Sequence, residues 1–101
     1  MVRHIIAWNY LEGFTMEENR RNAETMKKEL ENLKNLIHGI VSIEVFIDSL
    51  SSSDSDLLLD SVFESEEALK AYIVHPEHVR VGTTCVRPVT MNRKCIDILI
   101  P

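Results

Sequence analysis

A chain of 101 residues has room for a single domain over 1–101 and for a modest core. Its 45% hydrophobic and 27% charged residues are globular rather than disordered composition. The formal charge of −5, with Arg20, Arg21, Lys27 and Lys28 set among glutamates, excludes the basic face that nucleic acid or an anionic membrane surface requires.

The first run, Val2 to Tyr10, alternates Val2, His4, Ile6, Trp8 and Tyr10 with Arg3, Ile5, Ala7 and Asn9. Both sets hold apolar residues, which predicts a strand covered on both sides. Glu12-Gly13-Phe14 reads as a loop, and Thr15 with Glu18 three residues later reads as a capping box opening a helix. Ala23, Met26, Leu30, Leu33 and Ile37 recur at three- and four-residue steps, so one apolar stripe is expected to run to Ile37. Gly39 is the terminator, and His38 sits beside the negative pole of that helix.

A second strand is expected over Ile40 to Asp48, with Val41, Ile43, Val45 and Ile47 on one face and Ser42, Glu44 and Phe46 on the other. The polar, serine-rich stretch from Asp48 to Asp56 predicts a mobile loop, and its aspartates do not follow the spacing of a calcium loop. Leu57 to Phe63 is a third strand. Ser65 caps a second helix that carries Glu66 and Glu67 in its first turn. That helix is expected to stop near Val74, because Pro76 disfavours helical geometry at His75, and Pro76 then opens a short new helical segment. Arg93 to Ile100 forms the last strand, with Cys95 as a small buried hydrophobe.

The order β-α-β-β-α-β predicts an α+β, ferredoxin-like fold with a four-stranded antiparallel sheet and helices on one face. Strands one, two and four have apolar residues for both faces, so a second copy of the same sheet is the expected cover, making a homodimer. Cys85 and Cys95 make no CxxC pair and no disulfide scaffold, which with the absence of a leader-like start or a membrane-length apolar run predicts a cytoplasmic protein.

The stretch with chemical interest is Tyr72-Ile73-Val74-His75-Pro76-Glu77-His78-Val79. Histidines three apart share one side of a helical turn and titrate near neutral pH. Tyr72 precedes them by one turn, and His4 projects from a strand face it shares with Ile6 and Trp8. Converging on an apolar cavity, these residues make an acid–base pocket. The same residues also have a purely structural reading, in which His75 caps the short helix and His4 is a core histidine bonded to the backbone. A metal set of His75 and His78 with Glu77 or His4 departs from the i, i+4 spacing of helical zinc motifs, so no metal is expected. Three isolated glycines make no phosphate loop, so no nucleotide cofactor is expected.

The opening Val2-Arg3-His4-Ile5-Ile6, the run from Phe63 to Tyr72 and the turn His75-Pro76-Glu77-His78-Val79 resemble the Dabb family of stress-responsive dimeric α/β-barrel proteins. The resemblance implies a homodimer whose sheets close into a barrel, with a cavity between each sheet and its helices. By similarity to plant polyketide cyclases of the olivetolic acid cyclase type, it also implies His78 as a base assisted by Tyr72, without a cofactor, and His4 and His75 as cavity residues. Leu57 departs from that type, which has a histidine there, and Trp8 narrows the cavity. The resulting expectation is a homodimer that binds a small, mostly apolar molecule against His4, Ile6, Trp8 and His75, with cyclase, lyase or isomerase-like chemistry. The competing classes are a non-catalytic stress-responsive binding or structural dimer and a cofactor-independent monooxygenase on the same architecture.

Overall fold

The computed structural model describes residues 1–101 as β1 (Val2–Tyr10), α1 (Met16–Asn32), β2 (Ile40–Phe46), β3 (Leu57–Phe63), α2 (Glu66–Val74), α3 (Pro76–Val81) and β4 (Thr90–Leu99). The four strands form one antiparallel sheet in the order β2-β3-β1-β4, the α+β ferredoxin-like arrangement expected from the sequence. The helices cover one face of it. Val2, Ile6 and Trp8 of β1, Val45 of β2, and Leu57, Leu59 and Phe63 of β3 are buried there against Ala23, Met26 and Leu30 of α1.

Local chemistry explains where the helices begin. The Thr15 hydroxyl accepts from the Glu18 N–H, and the Glu18 carboxylate accepts from the Thr15 N–H. Such a cap contributes about 1 kcal/mol, whereas one fully buried Met or Leu contributes roughly 1.5–3 kcal/mol. The apolar stripe therefore seats α1 on the sheet, and the cap sets its first residue. Ser65 caps α2 by accepting from the Ala68 N–H.

The α-helix ends five residues before Ile37. Leu33–Asn35 tighten into a 3-10 turn, and the N–H groups of Leu36 and Ile37 both donate to the Leu33 carbonyl. Ile37 is still buried, so the stripe outlasts the helix. Gly39, at φ 92°, then turns the chain; a Cβ there would meet the Ala68 Cβ at 2.9 Å, so the turn also lets β2 pass close to α2.

Five other expectations need correction. β2 stops at Phe46, because Asp48 leaves the ladder to pair with Arg20. A bulge at Val41 puts Ile40 in the core and turns Val41 outward, so Val41 does not share a face with Val45. The serine-rich loop is tied at its far end: the Asp56 carboxylate accepts from the Tyr10 N–H and the Asn9 side chain, and its N–H donates to the Trp8 carbonyl. β4 begins at Thr90 rather than Arg93, and Cys95 is exposed rather than buried, because β4 is an edge strand that the helices do not roof.

Candidate functional site

The helical break at His75 builds the site. Tyr72 ends the buried face of α2. His75 is extended (φ −65°, ψ 135°), as the following proline demands, and Pro76 restarts the chain as α3. The His75 Nδ1 accepts the Glu77 N–H at 3.1 Å, capping α3. His75 does not line the cavity described below. Of the two jobs its position offered, it performs the cap.

His78 lies one turn further on, half-buried, with its ring centroid 4.3 Å from that of Tyr72. Its Nδ1 lies 3.0 Å from the Ile73 carbonyl oxygen. A carbonyl only accepts, so Nδ1 carries the proton and the neutral ring keeps its lone pair on Nε2. Burial holds the His78 pKa below its usual value, partly opposed by the hydrogen bond to Ile73 and assisted by His4, Arg87 and Arg93. Tyr72 is 1% exposed, and burial raises the pKa of its phenol well above the usual value, so it stays protonated.

His4 stands opposite on β1, 4% exposed, with its ring 6.2 Å from Tyr72 and 6.1 Å from Phe63. Its Nδ1 is 2.5 Å from the carboxylate of Asp97, its partner across the β1–β4 ladder. His4 is thus held by a side chain on the neighbouring strand rather than by backbone. Its own carbonyl accepts from the Ser61 hydroxyl, the other buried polar group of the core. Asp97 escaped the sequence reading, although a lone carboxylate within the apolar run Cys95-Ile96-Asp97-Ile98-Leu99 is a legible signal.

These elements enclose a cavity of about 510 Å³, within the range of small-molecule sites. Ile6, Trp8, Leu30 and Leu59 supply apolar wall, and His4, Tyr72 and His78 line it beside Ile73, Val79 and Gly82. The structure therefore brings together His78, Tyr72, His4, Ile6 and Trp8. The remaining wall comes from Val86, Arg87, Thr90, Met91, Asn92 and Arg93, none of which the sequence pattern marked. Residues 82–89 follow neither helical nor strand periodicity, since they wind as a π segment (Gly82–Val86) and a 3-10 turn (Arg87–Val89).

His75 and His78, considered as a metal set from the sequence, belong to no converging set of donors. The donors that do converge are His4, Cys95 and Asp97, whose ligand atoms lie within 4.8 Å of one another. Two of the three are already joined by the His4–Asp97 hydrogen bond.

Residues 2–100 match the family described as Stress responsive A/B Barrel Domain, or Dabb. A relative, the stress-response A/B barrel domain-containing protein HS1 of Arabidopsis thaliana, is 31% identical over 86 residues, 81% of this chain and 74% of that protein. A dimeric protein of unknown function and ferredoxin-like fold from Bacteroides fragilis superposes with a TM-score of 0.90 at 27% identity, over 98% of this chain and 95% of its own. A dimeric ferredoxin-like protein from Thermobifida fusca shares the fold, with a TM-score of 0.81 at 19% identity over 98% and 90% of the two chains. No helix here is long and apolar enough to cross a membrane.

Proposed function

This chain belongs to the stress-responsive A/B barrel domain family, and from that premise we propose that it acts as a homodimer whose cavity binds a small, mostly apolar molecule and moves a proton on it with His78. The observation that carries this reading is the His78–Tyr72 pair at the apolar cavity, with the His78 tautomer set by the Ile73 carbonyl.

A general base needs a free lone pair and a pKa low enough for that pair to be available at neutral pH. His78 has both. The Nε2 lone pair takes a proton from an acidic C–H or O–H of the bound molecule, and the ring becomes imidazolium. The protonated Tyr72 phenol donates a hydrogen bond to the oxygen on which the negative charge then develops. Returning the proton to another atom of the same molecule restores the histidine and completes an isomerisation or cyclisation, and returning it to a group that departs as its bond to carbon breaks completes an elimination, in each case without a cofactor. A second copy laid on the open sheet face would remove its exposed apolar surface, and the similar Bacteroides fragilis protein is dimeric.

The test is deuterium exchange at the activated carbon of a small aryl β-diketone in D2O, followed by NMR. The wild-type protein is expected to accelerate exchange over buffer. His78→Ala should cost about 10²–10⁴-fold in rate, and Tyr72→Phe should cost less. Exchange no faster than in buffer leaves a binding dimer without catalysis, and an unimpaired His78→Ala removes His78 as the base.

A further inference from the structure

We propose that the molecule this cavity accepts is an anion, an alkyl or aryl carboxylate whose charged end is held by Arg87 and Arg93 while its apolar body lies against Ile6, Trp8 and Leu59. The inference rests on the cavity being the ligand site and adds the charge of the ligand.

Charge distribution is the first observation. The chain has 16 acidic residues against 11 basic ones, yet no Asp or Glu lines the cavity. Of the six arginines, Arg3, Arg20, Arg21 and Arg80 are each ion-paired to a carboxylate within the chain. Arg87 and Arg93 make no such pair, and both line the cavity. An acidic protein has thus kept its two uncompensated guanidinium groups at one site. A guanidinium fork matches the two oxygens of a carboxylate and binds them with charge-assisted hydrogen bonds.

The backbone supplies the second observation. The β1–β4 register slips where Ala7 faces Lys94 and Asn9 faces Met91, so Asn92 and Arg93 together oppose Trp8. Two residues against one is a bulge, a device that re-aims side chains beside functional sites. Asn92 takes the left-handed conformation (φ 56°), the only non-glycine residue with positive φ, and its side-chain amide donates to Asn9 Oδ1 at 3.4 Å. Local strain of this kind persists where the surroundings demand it. Here it places both Asn92 and Arg93 in the cavity wall. Arg87 reaches the cavity wall from a different segment, a 3-10 turn begun by the Arg87-Pro88 pair.

Trp8 is the only tryptophan and lines the cavity, so its emission and its indole N–H resonance report occupancy directly. The probes are 4-butylbenzoate and its uncharged partner 4-butylbenzamide. In low-salt buffer at pH 7.5 the carboxylate is expected to bind about tenfold or more tightly than the amide, the gain of a hydrogen bond to a charged group. That preference should shrink as salt is added, since both arginines are exposed. Arg87→Gln combined with Arg93→Gln should bring the carboxylate down to the amide, and Arg93→Lys should keep part of the preference. Equal binding of the two probes to the wild-type protein, or a preference that survives the double variant, overturns the anionic assignment and leaves the cavity reading in place. If neither probe perturbs Trp8, the cavity reading falls and this inference falls with it.

Discussion

His78 owes its chemistry to three neighbours that act on different properties. The Ile73 carbonyl selects the tautomer, the Tyr72 ring packs against the imidazole, and burial disfavours its charged form. The same burial predicts a stability effect. In the unfolded chain the side chain titrates near 6.5, and in the folded protein lower. Between the two values the unfolded state binds the extra proton, so stability falls as the pH drops through 6.5 and levels off below the folded pKa. Thermal melts between pH 7.5 and 5 should therefore lose less melting temperature in His78→Asn than in the wild-type protein; parallel profiles for the two would refute the burial argument. His78, Tyr72, His4, Ile6 and Trp8 were legible as a group, because strand alternation and the proline break aim them at one space. The carboxylate of Asp97 stands out in its apolar run, but its role was not legible, since its partner is 93 residues away and only the β1–β4 register brings them together.

Among the elements, those with strong local chemistry came out where the sequence puts them. β3 runs from Leu57 to Phe63, α2 ends at Val74, and Pro76 opens α3. Thr15 begins α1 for the same reason, and the two Thr15 groups that hydrogen-bond Glu18 keep its carboxyl below the ordinary carboxylate pKa. Thr15→Ala is expected to destabilise the protein by about 1 kcal/mol, lowering the melting temperature by about 4–8 °C, without changing ligand binding at the cavity. An unchanged denaturation midpoint would show that the capping box contributes nothing. Two ends were misread. The far end of α1 tightens into a 3-10 turn while its apolar stripe runs on, and β2 stops early because Asp48 turns to Arg20 on a different element. The π and 3-10 segments of 82–89 had no pattern to read, because one turn of irregular helix repeats nothing.

At the scale of the whole molecule, the open face of the sheet is the main unsolved problem for a lone chain. Ile96, Phe46 and Ile98 are 55%, 47% and 43% exposed on that face, beside half-buried Ile5, Ala7 and Leu58. Its Arg3 and Asp60 are paired with each other at 3.2 Å, and Glu44 and Lys94 stand on the same face beside the apolar residues. A second copy that covers it should bury at least about 1,200 Å² in total. Sedimentation at micromolar concentration is expected to give twice the 11.6 kDa chain mass, and Ile96→Glu should shift the protein toward one chain. A well-folded wild-type monomer would remove the dimer from the proposal.

The sequence by itself determined the ferredoxin-like order, the helix-facing set on β1, the caps and the proline break. Each depends on residues within a few positions of one another, where sterics and hydrogen bonding act locally. Tertiary structure alone decided that His75 would cap rather than line the cavity, that Cys95 would lie on an open edge, and that Asp97 would hold His4. It also decided that Arg87 and Arg93 would both line one cavity. Those outcomes depend on strand register, a bulge opposite Trp8 and an irregular helix, and pairing across the sheet leaves no period in a single strand.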